Sequence, residues 1–222
     1  GWRFPNPSLP FSRFRDKKTE VANLRKIGIM GGTFDPIHYG HLILAEQAWE
    51  QLGLETVLFV TAADPPHKVS GPVSDAADRH EMARLATAGN EHFALSSIEI
   101  ERPGPSFTID TLRQIKGLYG EESHVYLLIG ADEAGGFMSW RDPFGIQELA
   151  TVVAANRPGL DTSAALGALP NSLASSIMRL EMPGVDISST DLRERVRRGR
   201  SIKYLAPEAV ERYIMEKGLY RG

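Results

Sequence analysis

Two histidines three positions apart are the residues of this sequence whose spacing first suggests chemistry. His38 and His41 belong to the string GGTFDPIHYGH, which covers residues 31–41. If both lie in the first turn of a helix, their imidazoles project to the same side and can donate hydrogen bonds to phosphate oxygens. Such donors stabilise the charge that builds on a departing pyrophosphate. Surface decoration or a zinc pair explains most such pairs, but zinc is disfavoured because the chain has no cysteine and lacks the zinc-protease spacing.

The segments around the two histidines predict where the pair lies in a fold. Residues 26–30 form a short apolar run that ends at Gly31 and Gly32, as expected of a buried strand entering a tight loop. Residues 38–52 carry apolar side chains at helical spacing, so a helix should follow. The first strand-to-helix turn of an open α/β sheet is where phosphate is usually held. Gly31 and Gly32 let the backbone approach a phosphate, and Gly40 keeps the helix surface low beneath a nucleotide.

A second group of polar residues lies far along the chain, in the string ISSTDLRE at residues 187–194. Three hydroxyls come at a predicted helix start, and Asp191 and Glu194 have the spacing of a capping box. Helix capping alone would explain the serines, but an arginine one turn into the helix adds a guanidinium suited to polyphosphate. The residues of this candidate site are Ser188, Ser189, Thr190 and Arg193.

Strands and helices alternate along the sequence. After the first strand and helix, strands are predicted at residues 56–60, 93–100, 125–130, 151–155 and 176–180. Helices are predicted at residues 75–89, 107–119, 144–149, 191–198 and 207–217. The alternation predicts a Rossmann-like α/β fold, a doubly wound open parallel sheet with helices on both faces and C-terminal helices. Residues 1–24 are interpreted as an N-terminal extension and residues 25–222 as a single domain, with residues 159–175 unassigned.

Composition narrows the class of protein. The 222 residues carry a formal net charge of −3, which supplies no broad positive field for a nucleic-acid partner. No stretch approaches the roughly 20 apolar residues of a membrane helix, so no membrane association is expected. The lack of cysteine excludes disulfides and is compatible with a reducing cytosol. We therefore expect a cytoplasmic protein that acts on small molecules, and the sequence leaves open whether it forms a homo-oligomer.

Both strings resemble motifs of a known family. GGTFDPxHxGH resembles the signature of the nucleotidylyltransferase superfamily, most closely that of the bacterial nicotinate mononucleotide adenylyltransferases, and the similarity runs from about residue 26 to residue 218. The family's Ile-Ser-Ser-Thr-x-x-Arg motif is matched in full at residues 187–193. The resemblance implies transfer of AMP from ATP to nicotinate mononucleotide in NAD biosynthesis, with Mg²⁺ held mainly by ATP phosphates and water. It implies catalytic roles for His38, His41 and Arg193, and ATP contacts from Gly31, Gly32, Thr33, Phe34, Gly40, Ser188, Ser189, Thr190 and, as a lesser candidate, Arg157.

The acceptor site is likewise implied by the resemblance. Lys68 belongs to a loop similar to the family's Pro-Pro-His-Lys/Arg, which indicates a phosphate contact. The segment of Phe107 and Thr108 would seat the nicotinate carboxylate through backbone amides, although the family often has tyrosine where Phe107 stands. Asp132 would contact the ribose. Trp140, on a loop beyond a strand end, would stack on the pyridine ring rather than fill the core.

Two other functions stay open from the sequence. A sister adenylyltransferase that acts on nicotinamide mononucleotide or phosphopantetheine would share the histidine motif, so only the regions of Trp140 and Thr108 could discriminate. A non-catalytic module that senses nucleotides would retain the pocket without turnover. Replacement of His41 by alanine separates an enzyme from a sensor, since only an enzyme has turnover to lose.

Overall fold

The computed structural model describes residues 25–65, 74–156, 166–167 and 169–221. These residues form a six-stranded sheet of order β3-β2-β1-β4-β5-β6, in which every neighbouring pair is parallel. The strands are β1 Lys26–Gly32, β2 Thr56–Thr61, β3 Phe93–Ser96, β4 His124–Gly130, β5 Thr151–Ala155 and β6 Met178–Leu180. The predicted Rossmann-like fold is thus confirmed. The N-terminal extension, Lys68 and Arg157 lie outside the described residues, and the single domain over residues 25–222 stays a prediction.

Helices connect the strands and follow the last one. They are α1 Tyr39–Leu52, α2 Ala76–Thr87, α3 Ile98–Glu101, α4 Thr108–Tyr119, α5 Ala131–Gly135, α6 Pro143–Leu149, α7 Asn171–Ala174, α8 Ser189–Arg197 and α9 Glu208–Lys217, with a 3₁₀ turn at Phe137–Ser139. In the described part of the chain, none of these helices has the length and apolar character needed to cross a membrane.

Alternate residues of each strand enter separate cores on the two faces of the sheet. In β4, Leu128 packs in the core beneath α1, α2, α8 and α9. Its neighbours Leu127 and Ile129 pack in the other core, with α4 and α6. This two-residue alternation is the geometry of a pleated strand. Because helices cover both faces of the sheet, the strands are apolar throughout, and the sequence therefore predicts them as short apolar runs.

The strand order reverses between β1 and β4, and this reversal positions the candidate site. β1 pairs with β2 on one side and with β4 on the other. The chain after β1 therefore leaves towards one face of the sheet, and the chain after β4 leaves towards the other. Open α/β sheets bind ligands in the crevice at such a switch point, outside the carboxyl ends of the strands. Residues just after β1 and β4, and Asn156 after β5, line cavities in that crevice.

The strand predicted over residues 93–100 is wrong in its second half. β3 ends at Ser96, and α3 begins at Ile98. The Ser96 hydroxyl accepts a hydrogen bond from the backbone N–H of Ile98 at 3.3 Å, which turns the chain out of the sheet. The apolar Ile98 and Ile100 alternate with glutamates and so mimic strand periodicity. The short helices α5 and α7 were not predicted, because segments of four or five residues are too short to establish a helical period.

Candidate active site

The turn between β1 and α1 places the two histidines against each other. His38 is the N-cap of α1, in an extended conformation, and His41 is the third residue of the helix. Their ring centroids lie 3.8 Å apart, with 28° between the ring planes. The Nδ1 atom of His41 accepts a hydrogen bond from the backbone N–H of His38 at 3.1 Å. This bond assigns the proton of a neutral His41 to Nε2, which is then a hydrogen-bond donor.

Two neighbours fix the position of these rings. Phe34 is buried and meets the His41 ring edge to face, with centroids 5.2 Å apart. A Cβ atom at Gly40 would lie 3.0 Å from both Cε1 and Nδ1 of His38. Glycine at position 40 is therefore needed for the packing of His38. This steric reason was not part of the sequence argument, which placed a nucleotide above Gly40.

The second polar motif packs directly onto the first. The hydroxyl of Ser189 donates to the carbonyl oxygen of Pro36 at 2.9 Å, across 153 positions of sequence. Arg193 donates to the carbonyl oxygen of Asp35 at 2.7 Å and to the hydroxyl of Thr190 at 3.3 Å. The start of α8 and the β1–α1 turn therefore form one polar surface, as the sequence argument required of two motifs that would grip a single triphosphate.

The capping box predicted from Asp191 and Glu194 is wrong. The N-cap of α8 is Ser188, whose hydroxyl accepts a hydrogen bond from the backbone N–H of Asp191 at 3.1 Å. The carboxylate of Asp191 instead pairs with Arg195 at 2.7 Å, one turn along the helix. The helix begins earlier than predicted because a serine N-cap satisfies the unpaired N–H groups as well as an aspartate does.

A cavity of about 410 Å³ lies between the two motifs, and we call it the histidine pocket. Both His38 and His41 line it, together with the start of α8. Arg193 does not line this pocket, and its guanidinium donates to the carbonyl of Asp35 instead. The predicted ATP-binding residues that line the pocket are Gly31, Gly32, Thr33, Phe34, Gly40, Ser188, Ser189 and Thr190.

A second cavity of about 320 Å³ adjoins the first, and we call it the tryptophan pocket. Phe107, Thr108, Asp132 and Trp140, the four described residues predicted to bind the acceptor, all line it. The two pockets share a wall made by Gly31, Gly32, Thr33, Leu128, Asp132 and Glu133. Both cavities fall in the size range of small-molecule sites, about 300–1,000 Å³. Two ligands bound side by side would therefore meet above the end of β1.

Sequence reasoning missed a buried arginine beneath the β1–α1 turn. Arg79, on α2, is only 1% exposed. It donates to the carbonyl oxygens of Ser74 at 2.8 Å, Thr33 at 2.8 Å, Ala62 at 2.5 Å and Ala63 at 3.0 Å. These four acceptors belong to the turn after β1, the end of β2 and the segment before α2. Arg79 therefore ties together three segments that approach the pockets from behind.

Asp35 supplies negative charge near Arg79 and is itself held from the far end of the chain. Burial lowers the pKa of the Arg79 guanidinium, and the charge of Asp35 opposes that shift, so the arginine stays protonated. Asp35 is 2% exposed, and its carboxylate accepts a hydrogen bond from the hydroxyl of Tyr220 at 2.6 Å. Burial and the adjacent carboxylate raise the pKa of Tyr220, which keeps the hydroxyl a donor. The inward position of Arg79, three residues before the buried Met82, was the available sequence signal.

The described residues contain no cluster of three or more histidine, cysteine or acidic side chains placed to hold a metal ion. Asp132 and Glu133 are the described carboxylates that line both pockets, where two ligands would meet. Mg²⁺ keeps several waters and often binds through one or two carboxylates plus substrate phosphates. The donor set therefore fits an ion carried by the phosphates of a nucleotide.

Comparison with known proteins agrees with this geometry. Residues 29–195 match the family model of cytidylyltransferase-like proteins. A relative from Thermoanaerobacter sp. (strain X514) is 44% identical over 88% of this chain and 94% of its own length. A relative from Thermus thermophilus is 46% identical over 88% of this chain and 100% of its own length. Both are named as probable nicotinate-nucleotide adenylyltransferases.

Solved structures share the fold. The Plasmodium falciparum nicotinic acid mononucleotide adenylyltransferase complexed with NaAD superposes with a TM-score of 0.71 at 20% identity, covering 88% of this chain and 97% of that one. The same enzyme complexed with APC gives a TM-score of 0.68 with the same coverage. With these relatives, the two motifs and the parallel sheet, the chain belongs to the cytidylyltransferase-like family, among the members named as nicotinate-nucleotide adenylyltransferases.

Proposed function

We propose that this protein transfers the adenylyl group of ATP to nicotinate mononucleotide, giving nicotinic acid adenine dinucleotide and pyrophosphate. The observation that carries the proposal is the shared wall of the two pockets at Gly31, Gly32 and Thr33. ATP in the histidine pocket and a mononucleotide in the tryptophan pocket would bring their phosphates together above this wall. The names of the relatives, and the NaAD in the Plasmodium falciparum structure, support the same acceptor.

The histidine pocket supplies donors suited to a triphosphate. The capping bond uses Nδ1 of His41 and leaves the proton of the neutral ring on Nε2, so this atom can donate to a phosphate oxygen. The hydroxyls of Ser188 and Thr190 accept hydrogen bonds within α8, so their O–H groups can donate, and the backbone N–H groups of two helix N-termini add further donors. These groups would stabilise negative charge on the leaving pyrophosphate, which is the main catalytic demand of this reaction.

The reaction needs no covalent bond to the protein. A 5′-phosphate oxygen of the acceptor forms a bond to the α-phosphorus of ATP, while the bond from that phosphorus to the bridging oxygen breaks. The bridging oxygen keeps the electron pair and leaves with pyrophosphate. The protein's part is to hold two polyanions in line and to stabilise the shifted charge. Mg²⁺, held mainly by the phosphates and water beside Asp132 and Glu133, would neutralise part of that charge when bound.

The tryptophan pocket fits the acceptor. In the proposed complex, the pyridine ring stacks on Trp140, and backbone amides near Thr108 receive the carboxylate. Asp132 contacts the ribose, while Lys68 and Phe107 stay predictions of the same kind. Arg157 likewise stays a predicted contact of ATP, and Arg193, whose guanidinium donates to the carbonyl of Asp35, stays a predicted catalytic residue. A cytoplasmic location, the absence of a nucleic-acid partner and the oligomeric state also stay predictions.

A pair of substitutions at His41 tests the proposal. Asparagine keeps an acceptor for the backbone N–H of His38 and so preserves the cap, whereas alanine removes both the cap and the pocket donor. We expect His41→Asn to lower kcat by at least about 100-fold, with ATP affinity largely kept, because only the pocket donor is lost. Pyrophosphate release measures turnover, and calorimetry measures ATP binding.

A panel of acceptors tests the substrate. Nicotinate mononucleotide, nicotinamide mononucleotide and phosphopantetheine are each supplied with ATP and Mg²⁺, and pyrophosphate release is followed. We expect the highest kcat/KM with nicotinate mononucleotide. Preference for another acceptor would favour a sister adenylyltransferase. A wild-type protein that binds ATP but releases no pyrophosphate with any acceptor would favour the sensor and end the proposal.

A further inference from the structure

The charges that line the tryptophan pocket are unevenly placed. Its described lining contains three carboxylates, Glu99, Asp132 and Glu133, and one cationic side chain, Arg141. A ligand with a carboxylate and a phosphate would be repelled by this lining unless a cation offset the negative charge. Asp132 and Glu133 belong to the wall shared with the histidine pocket, where phosphates would lie. Arg141 lines the tryptophan pocket but not the histidine pocket, so it lies outside the shared wall.

Glu99 is already compensated within the protein. Glu99 is only 6% exposed, and its carboxylate accepts a hydrogen bond from the hydroxyl of Thr111 at 2.5 Å. Arg102 lies 3.9 Å from the same carboxylate and also donates to that hydroxyl. The negative charge of Glu99 is therefore offset by Arg102 and does not need to be offset by Arg141.

Arg141 lies beside Phe107 in the lining of the tryptophan pocket, and we call the part lined by Phe107 and Trp140 the aromatic end. Its guanidinium carbon lies over the Phe107 ring, 4.6 Å from the ring centre. It directly follows Trp140, the predicted stacking platform, in the chain. The carboxylate of Asp110 is 3.6 Å away and is also 3.4 Å from Arg113, which lies 3.6 Å from the carboxylate of Asp142 as well. Of these four charged side chains only Arg141 lines the tryptophan pocket, so the charge that the described lining presents beside Phe107 is positive.

Resting on the proposed function, we propose that Arg141 is a specificity-determining residue that attracts the carboxylate of nicotinate mononucleotide and thereby favours the acid over its amide. A ring that stacks on Trp140 with its phosphate at the shared wall would direct its substituent towards the aromatic end. The acid carries a negative charge there, whereas the amide carries none. The Coulomb attraction of Arg141 therefore acts on one acceptor and not on the other.

The expected effect is moderate, because the Arg141 side chain is 58% exposed and solvent screens its charge. A hydrogen bond to a charged group that is exposed in this way should correspond to roughly tenfold in kcat/KM. Arg113 is a matched control, since its side chain is 59% exposed and contacts the same Asp110 without lining the pocket.

The experiment measures kcat/KM for nicotinate and nicotinamide mononucleotide with wild type, Arg141→Gln, Arg141→Lys and Arg113→Gln. We expect Arg141→Gln to lower kcat/KM for the acid about tenfold and for the amide less than about twofold. Lysine should restore part of the preference, because it keeps the charge without the planar fork. Arg113→Gln should leave the ratio of the two values unchanged.

Three outcomes would overturn the inference, and they are distinguishable. Equal losses for both acceptors would place the role of Arg141 at the shared phosphate. If the active Arg141→Gln protein keeps the wild-type ratio of kcat/KM for the two acceptors, Arg141 does not contribute to discrimination between the acid and the amide. A wild-type protein inactive with both mononucleotides would refute the proposed function and this inference with it. Calorimetric binding of each mononucleotide provides a readout independent of turnover, in which only the acid should bind more weakly to Arg141→Gln.

Discussion

Removal of the Arg79 guanidinium should be among the most damaging single changes outside the pockets. The side chain is 1% exposed and satisfies four backbone carbonyl groups from three segments. Arg79→Met would leave those oxygens short of donors and Asp35 without its nearby positive charge. Breaking a buried charge interaction in this way costs about 3–5 kcal/mol. Because domains are stable by about 5–15 kcal/mol, the variant should fold but unfold at much lower urea.

The matched control lies on the same helix. Arg84 pairs with Glu81 through two contacts of 2.7 and 2.6 Å, but its side chain is 54% exposed. Arg84→Met should cost less than about 1 kcal/mol, because exposed ion pairs contribute little. Arg79→Lys should fall between the two, since an ammonium group keeps the charge and can reach at most three of the four acceptors. Urea unfolding followed by circular dichroism gives all three free energies of unfolding.

A kinetic readout separates positioning from general stability. Arg79 holds the carbonyl of Thr33, which lies in the turn that carries both histidines. Measured without urea and at a temperature where each variant is fully folded, Arg79→Met should raise the KM for ATP, whereas Arg84→Met should not. If Arg79→Met and Arg84→Met lose equal stability, within about 1 kcal/mol, the four carbonyl bonds do not stabilise the turn and the reasoning fails.

Two further predictions use matched pairs. Tyr220→Phe removes the hydroxyl that donates to the buried Asp35, and this change should cost about 1.5–3 kcal/mol of stability and raise the KM for ATP. Tyr213→Phe removes an equivalent bond of 2.7 Å to Asp78, away from the pockets, and should affect stability alone. The same KM for ATP in both variants would contradict a role for Tyr220. Gly40→Ala should displace the His38 ring and lower kcat about 10- to 100-fold with an unchanged melting temperature. At the control position, a Cβ atom on Gly117 would meet no atom within 4 Å, so Gly117→Ala should stabilise α4 by about 0.5–1 kcal/mol and keep full activity. Normal turnover of Gly40→Ala would refute the steric argument.

The fold could be predicted from the sequence because its signals are local. The core strands are short apolar runs, and the long helices have a clear apolar face, so their existence follows from periodicity alone. The two pockets follow as well, since the carboxyl ends of parallel strands must meet at one edge of the sheet. The error at β3 has the same origin, because Ile98 and Ile100 follow strand periodicity inside a helical turn.

The missed residues act over distances that periodicity does not report. Arg79 bonds to a carbonyl 46 positions away, and Tyr220 to a carboxylate 185 positions away. Neither belongs to a motif, and although helical spacing places Arg79 on the inward face of α2, it does not identify the carbonyls that this arginine contacts. Arg141 directly follows Trp140, the predicted stacking residue, but its proposed role depends on the carboxylates that the fold brings into the lining of the same pocket. Such residues become visible only when the charges of a cavity can be considered together.

The positions of the two histidines follow from contacts on both sides of one turn. On one side, Arg193 and Ser189 of α8 hold the carbonyls of Asp35 and Pro36. On the buried side, Arg79 holds Thr33 and Tyr220 holds the Asp35 side chain. A turn held from both sides can present the His41 donor in one place before any ligand arrives, which is the preorganisation that charge stabilisation requires. Residues that never touch a substrate would therefore control kcat and KM through the same short segment that carries the motif.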